Sequence, residues 1–188
     1  MKHSLITATA MLLLMSAPAF ADSNTSQIDQ LGTGHAVDVE QTGDTTTNDS
    51  IVNQVMGANN STTVAQKGTD STNTSIVFQY GDNEVAEVEQ KGVGNTNYSR
   101  MTQSGSDNIG RVSQRGTDNL NTSIIEAEAG TFNTIDVNQF GSTNENTSTI
   151  SLMSHTSTYD VAQHGSSNTN VSGITATAVG SSATVNQH

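Results

Sequence analysis

The sequence predicts an all-β fold: a β-solenoid of seven strand–turn–strand repeats of 24–25 residues, with two facing parallel sheets. Three observations lead to this prediction. An alternating motif, Asn-x-Ser-x-(Ile, Val or Met)-x-Gln, recurs at nearly constant spacing. A second motif, Val-x-Gln, recurs between its copies, and glycines flanked by small polar residues separate the two. Alternation with a period of two indicates strands, and a fixed repeat of this length indicates stacked units.

The first strand of each repeat begins at an asparagine, as in Asn73–Gln79, and successive starting asparagines are 24 or 25 residues apart. Alternation places its asparagine, serine, apolar residue and glutamine on one inward face. Ala127, Leu152 and Ala176 replace the glutamine in the last three repeats. The predicted columns are Asn24, Asn48, Asn73, Asn97, Asn121, Asn146 and Asn170; Ser26, Ser50, Ser75, Ser99, Ser123, Ser148 and Ser172; and Gln30, Gln54, Gln79 and Gln103.

The second strand carries a valine and, two residues later, a glutamine in every repeat. Agreement in both columns of all seven repeats is far beyond chance, so we predict that these residues also face inward. The two columns are Val39, Val64, Val88, Val112, Val137, Val161 and Val185; and Gln41, Gln66, Gln90, Gln114, Gln139, Gln163 and Gln187.

Glycines close both strands, beside Asn, Asp, Ser and Thr, and indicate turns at positions that favour positive φ. The extra residue of the two 25-residue units falls in the first turn, at Val55–Gly57 and Glu128–Gly130. The predicted turn glycines are Gly32, Gly43, Gly68, Gly81, Gly92, Gly105, Gly116, Gly141 and Gly165.

The inward position of the glutamines requires an explanation, because a buried amide is costly unless it is hydrogen-bonded. In a stack with about 4.8 Å between rungs, each amide can donate to the next rung and accept from the previous one, as amide ladders do in cross-β structures. The sequence therefore predicts one glutamine ladder over seven rungs and a shorter one over four. We expect the stack to become cross-β when chains polymerise.

Composition excludes several other classes of protein. A formal net charge of −12 argues against nucleic acid as a partner and against insertion into a membrane. With 32% hydrophobic residues the chain cannot build a conventional layered core, so stacking must order a chain that otherwise looks disordered. It has no cysteine, and Pro18 is its only proline, so every later residue keeps a backbone donor for β-ladders.

Residues 1–21 are typical of a secretory signal peptide, because Lys2 and His3 precede an apolar run that ends in an A-x-A cleavage site at Ala19 and Ala21. The run is too short to cross a membrane. We expect cleavage after Ala21 and export of one domain, residues 22–188. Its repeats span approximately 22–45, 46–70, 71–94, 95–118, 119–143, 144–167 and 168–188.

The spacing Gln-x-Gly-x-x-Asn-x-x-x-Val-x-Gln, seen at Gln103–Gln114, resembles the curlin repeat of curli fibre subunits, which are secreted bacterial functional amyloids. The closing "ATVNQH" also looks like a curlin C-terminus, and the resemblance covers nearly all of residues 22–188. Two features depart from the family. The units are slightly longer, and repeat one begins at Asn24, where family members often carry a segment that addresses the chain to its secretion pore.

The resemblance implies a major-type subunit of an extracellular amyloid fibre, or pilus, on the bacterial surface, reached through the periplasm, for biofilm matrix, adhesion and cell aggregation. Implied partners are further copies of itself, a nucleator subunit and an outer-membrane secretion pore. Uncapped end rungs predict head-to-tail growth, because an open strand edge templates the next chain. The alternatives are the minor nucleator of the same fibre and a monomeric secreted solenoid that binds glycan or ice.

We predict no enzymatic activity, no cofactor and no metal site. His164 and His188 fall one rung apart but lack a third ligand. Glu84, Glu87 and Glu89 are interpreted as a solvated strand face, because no insertion builds a pocket around them.

Ile51, Ile76, Phe78 and Ile124 fall on outward positions of the first strand. Ordinary β-propensity explains them, and a stripe for lateral bundling of filaments is the alternative.

Overall fold

The computed structural model describes residues 23–143, 145–152, 156–167, 169–176 and 180–188, and for residues 127–131 and 152 it describes the backbone. The predicted signal peptide, with Ala19 and Ala21, lies outside the described residues. The described part consists of fourteen β-strands in two seven-stranded sheets, without a helix. The predicted all-β solenoid is therefore confirmed.

The first strands of the repeats form one sheet, which we call the odd sheet, and the second strands form the even sheet. The odd sheet contains β1 (Ser23–Thr33), β3 (Thr47–Ala58), β5 (Thr72–Asp82), β7 (Thr96–Ser106), β9 (Leu120–Thr131), β11 (Glu145–Leu152) and β13 (Thr169–Ala176). The even sheet contains β2 (Ala36–Asp44), β4 (Ser61–Thr69), β6 (Val85–Val93), β8 (Ile109–Thr117), β10 (Thr134–Ser142), β12 (Thr158–Ser166) and β14 (Ser182–Gln187).

Every strand pairs in parallel with the equivalent strand of the neighbouring repeat, so each repeat is one rung of the solenoid. Asn24 lies opposite Asn48, and Val39 lies opposite Val64. The register shifts by one residue between β1 and β3 and again between β7 and β9. These shifts coincide with the two turns to which the sequence assigns the extra residue of the 25-residue units, so bulges absorb the insertions and the columns stay aligned.

The core lies between the sheets and consists of columns of aligned side chains. Val52, Val64 and Val77 are fully buried, as the alternation predicts. The even sheet has a further inward column, which sequence reasoning missed because its residue type changes from rung to rung. Its members are Val37, Thr62, Ala86, Gly110, Ile135, Tyr159 and Ala183.

Packing across the fourth rung shows how the variable column compensates for a larger side chain in the opposite sheet. Met101 takes the place that valine or isoleucine occupies in the other rungs, and Gly110 stands in the variable column. A Cβ atom at Gly110 would lie 2.6 Å from the Met101 Sδ. The glycine therefore makes room for the longer side chain, and the core volume is kept nearly constant.

Besides Met56 in the inserted segment, with φ of 64°, one residue in each connection has φ between 51° and 71°, and it is usually a small polar residue. In the first turn these are Gly34, Asn59, Asn83, Asp107, Phe132, Thr156 and Gly180; in the second they are Thr45, Asp70, Gly94, Asp118, Thr143 and Ser167. Asn and Asp tolerate this region because their side chains bond locally. The backbone N–H of Asn83 donates to Ala58 O at 2.8 Å, so the turns also join successive rungs.

The predicted turn glycines are needed mainly because rungs approach closely. Six of them have φ between 113° and 159°, as the sequence predicts. Gly68, Gly81 and Gly141 do not have positive φ, so the prediction of positive φ is wrong for these three. A Cβ atom at Gly68 would lie 2.7 Å from the Gly92 carbonyl oxygen, and one at Gly81 would overlap the Gly105 carbonyl. The glycines thus stack on one another, and backbone contact excludes a side chain.

Candidate functional site

The second-strand glutamines form a continuous hydrogen-bonded ladder through all seven rungs. Each Nε2 donates to the Oε1 of the next rung, over 2.7 Å from Gln41 to Gln66 and 3.0 Å from Gln90 to Gln114. Each also donates to a backbone carbonyl of the odd sheet, as Gln114 does to Tyr98 O at 3.1 Å. The ladder therefore ties the rungs together along the axis and the two sheets together across the core.

The first-strand glutamines form a second ladder that ends at Gln103. Donation runs from Gln30 through Gln54 and Gln79 to Gln103, over 2.8, 2.8 and 3.0 Å. Gln103 Nε2 keeps only the bond to a backbone carbonyl, Val85 O, that Gln54 and Gln79 make in addition to their amide bond. Ala127 pairs with Gln103 in the next rung, which explains why the ladder stops there.

The starting asparagines form a third ladder whose hydrogen bonds run the opposite way. Asn48 Nδ2 donates to Asn24 Oδ1 at 2.8 Å, and the pattern continues up to Asn170, which donates to Asn146 at 3.0 Å. In this ladder the later rung donates to the earlier one, whereas in both glutamine ladders the earlier rung donates to the later. The stack therefore has a chemical direction.

The predicted serine column is aligned, but it is not a hydrogen-bonded ladder. The hydroxyls of Ser50, Ser75, Ser99, Ser123, Ser148 and Ser172 are buried without a partner. An amide has its oxygen and nitrogen about 2.3 Å apart. With one hydrogen bond it therefore spans roughly the 4.8 Å between rungs. A single hydroxyl oxygen cannot span that distance.

Ser75→Ala is therefore expected to leave the free energy of unfolding the stack unchanged or to raise it by about 1 kcal/mol, because it removes a buried hydroxyl without a partner. Thr62→Val is the matched control. Its hydroxyl accepts from Gln54 and donates to Gln79 Oε1 at 2.8 Å, so its loss should cost about 1–2 kcal/mol. The measurement is the guanidinium midpoint for loss of β-structure by circular dichroism. Equal losses in the two variants would contradict this interpretation of the serine column.

The two end rungs of the described stack carry complementary amide groups. Gln187 Nε2 donates to Val171 O at 2.7 Å and keeps its second hydrogen, while Gln41 Oε1 accepts from none of the described residues. Asn170 Oδ1 likewise accepts from none of them, and Asn24 Nδ2 makes only a 3.4 Å contact with Gln41 O. Each end thus presents a spare donor in one column and a spare acceptor in the other.

The same two rungs leave part of the apolar core exposed. Ile28, Val37 and Val39 at the β1–β2 end are only partly buried, although their equivalents in inner rungs are largely covered. The partly buried core residues at the β13–β14 end are Ile174, Ala176, Ala183 and Val185. Ile28 and Ile174 belong to one column and Val39 and Val185 to another, so the exposed surfaces match in these two columns.

The outward faces carry the ion pairs and the aromatic contacts. Arg111 pairs with Glu87 at 2.8 Å, and Arg115 pairs with Glu89. These two glutamates are the solvated residues that the sequence predicts. The side chains of these two pairs keep between 35% and 50% of their surface exposed, so each pair contributes little to stability.

The predicted stacking of His164 and His188 is present, with ring centroids 5.8 Å apart and Phe140 on the other side of His164. Within the described ranges there is no group of three or more residues that could hold a metal ion. No helix long and apolar enough to cross a membrane occurs in that part of the chain.

The interpretation of Glu84 as solvated is wrong. It is fully buried in the first turn, in what we call the turn column: His35, Asn60, Glu84, Asn108, Asn133, Ser157 and Ser181. Asn108 Nδ2 donates to Glu84 Oε1 at 3.3 Å, and Glu84 N donates to Asn60 Oδ1 at 3.0 Å. Burial raises the pKa of Glu84 to about 7, with a smaller increase from Asp82; the bonds to Asn108 and the Tyr80 backbone oppose the shift.

The sequence contains a signal for this column, because asparagine recurs one residue before the second strand at Asn60, Asn108 and Asn133. The column was missed because the residue lies beyond the alternating part of the strand.

Comparison with models of known protein families and with curated proteins found no match to the chain.

Proposed function

We propose that this chain is the major structural subunit of an extracellular, curli-like amyloid fibre that grows head to tail. The observation that carries the proposal is the match between the two end rungs of the described stack. Spare amide donors and acceptors, exposed apolar columns and unpaired strand edges occur at both ends in complementary positions. We place the fibre on the bacterial surface, in biofilm matrix, adhesion and cell aggregation.

Amide polarity favours one way of joining two copies. When the β13–β14 end of one copy meets the β1–β2 end of the next, Gln187 can donate to Gln41 and Asn24 can donate to Asn170. Joining two identical ends would place donor against donor in one column and acceptor against acceptor in the other. Unmatched buried polar groups are costly, so the head-to-tail contact is selected.

Apolar burial supplies the main driving force at the joint. Covering Ile28, Val39, Ile174 and Val185 restores the environment that their columns have in inner rungs. Parallel pairing of β13 with β1 and of β14 with β2 would also satisfy both open strand edges. Because the contact repeats along the axis and does not close, it produces a filament.

Two columns do not match at the joint. Gln30 would meet Ala176, and His35 would meet Ser181. We therefore expect joining to be weaker than the pairing of inner rungs and to depend on a template. Export of the unfolded chain and assembly outside the cell belong to the proposal by resemblance to curlins. A nucleator subunit and an outer-membrane secretion pore are partners of this proposal, by resemblance to curlins.

The test uses purified protein at neutral pH, with and without preformed aggregates as seeds. We expect fibres by electron microscopy, fibre-diffraction spacings of about 4.8 Å and about 10 Å, and a lag phase that seeds abolish. Soluble discrete particles that persist in the presence of seeds would contradict the proposal.

A matched pair of variants tests the joint itself. Ile174→Lys places a charge in the apolar joint and should prevent seeded growth, whereas Thr175→Lys adds the same charge at an exposed, outward position and should not. Equal growth of the two variants would show that this end rung is not the joining surface.

A further inference from the structure

Glu84 is the only acidic side chain that is fully buried in the described ranges. It lies in the third rung between Asn60 and Asn108 of the turn column. The carboxylate is bonded by Asn108 Nδ2, which lies 3.3 Å from its Oε1, and by the Tyr80 backbone, while its Oε2 is buried without a partner. A carboxylate normally needs several donors to be stable in such a position.

The charged groups around Glu84 do not compensate a buried negative charge. Asp82 on β5 and Asp107, next to Asn108, carry the same sign. His35 is in the same column but two rungs away, and its Nε2 is buried without a partner. Among the described residues no lysine or arginine forms an ion pair with Glu84; the pairs of Arg100, Arg111 and Arg115 lie on the outward faces.

The later rungs show what a neutral residue achieves in this column. Asn133 Nδ2 donates to Asn108 Oδ1 at 3.0 Å, and Ser157 N donates to Asn133 Oδ1 at 3.2 Å. In the first three rungs, by contrast, His35 Nε2, Asn60 Nδ2 and Glu84 Oε2 all lack partners. The column is thus well bonded where it is neutral and poorly bonded around the acidic side chain.

We infer that Glu84 is a proton switch for assembly: the turn column orders with Glu84 in its carboxylic acid form, so each chain takes up a proton at this residue when it joins a fibre. The inference rests on the proposed function. An uncharged carboxyl avoids the desolvation of a buried ion and provides a hydroxyl that can donate.

The direction of the pH effect follows from the two states. In the disordered chain Glu84 has its ordinary pKa of 4.5, and in the stack the pKa is about 7 because the side chain is buried. The stacked state therefore binds the proton more tightly. The stabilisation of the stacked state by this proton is complete below about pH 4.5 and is lost as the pH rises through about 7.

The experiment measures the concentration of protein that remains soluble in equilibrium with seeded fibres, between about pH 6 and about pH 8, in salt high enough to screen surface repulsion. For the unmodified chain the Glu84 contribution should raise this concentration about tenfold over that range. Glu84→Gln should abolish that rise. Glu145→Gln, which removes one exposed charge and leaves Glu84 unchanged, should retain it.

The unmodified chain and Glu84→Gln differ in no titratable group other than Glu84, so the difference between their pH profiles isolates this residue. Parallel profiles for the unmodified chain and Glu84→Gln would overturn the inference while leaving the fibre proposal intact. A flat profile for Glu145→Gln would also overturn it, because net charge would then be the cause. Failure of all three proteins to form fibres at any pH would overturn the proposed function and the inference with it.

Discussion

Gln114→Leu is expected to raise the concentration of soluble protein in equilibrium with fibres by about 100-fold. Gln114 accepts from Gln90 at 3.0 Å and donates to Gln139 at 2.8 Å and to Tyr98 O at 3.1 Å. A leucine leaves those buried groups without a partner, at about 1–3 kcal/mol for each unsatisfied group. A total of about 3 kcal/mol corresponds to a change of about 100-fold.

The control for Gln114→Leu is Gln27→Leu. Gln27 is exposed and donates only to the neighbouring Asp29 carboxylate at 3.0 Å. Its replacement should change the soluble concentration by less than about threefold, as is usual for surface positions. Similar effects of the two substitutions would show that glutamine at inward positions is replaceable by any side chain of its size, and the ladder would lose its role as the stabilising element.

Gly116→Ala is expected to destabilise the stacked state by about 3 kcal/mol or more, and in practice to prevent fibre formation. Gly116 has φ of 155°, and a Cβ atom there would overlap the carbonyl oxygen of Gly141 and the side chain of Asn119. The obstructing carbonyl is backbone in the next rung, so relief requires separating β8 from β10. Strained backbone and steric overlap are among the mechanisms behind the largest single-site effects.

Gly173→Ala provides the opposite case in the same fold. No atom lies within 4 Å of a Cβ atom built at Gly173, and its φ is not in the strained region. Alanine should therefore be tolerated, with a gain of up to about 1 kcal/mol from the lower entropy of the disordered chain. The measurement for both variants is the soluble concentration with seeds, together with the guanidinium midpoint of any fibres. Tolerance of alanine at Gly116 would show that rungs lie further apart than the structure has them.

The inward columns were predictable because a strand alternates with a period of two and the repeat fixes the register. Gln41 and Gln66 face inward for the same reason that Val39 and Val64 do, and the sequence repeats this pair in every unit. Even the two bulges were predictable, because an extra residue in a unit of constant length has to leave the ladder. Fold and repeat period are therefore encoded locally.

Other features depend on atoms that alternation does not specify. The direction of the asparagine ladder is opposite to that of the glutamine ladders, although both residues carry the same amide. Ser75 is inward and aligned, yet its hydroxyl is too short to bridge rungs. Glu84 was misread because it shares a sequence neighbourhood with Glu87 and Glu89 but lies in the turn, where the alternation no longer applies.

The opposed ladders determine how electric dipoles add along the axis. In the last three rungs one glutamine column opposes one asparagine column, so their amide dipoles largely cancel. In the first four rungs a second glutamine column, from Gln30 to Gln103, has no opposing partner. Parallel sheets add little net dipole of their own. Subunits joined in a single direction would sum this residual moment, and a long fibre would orient along an applied electric field.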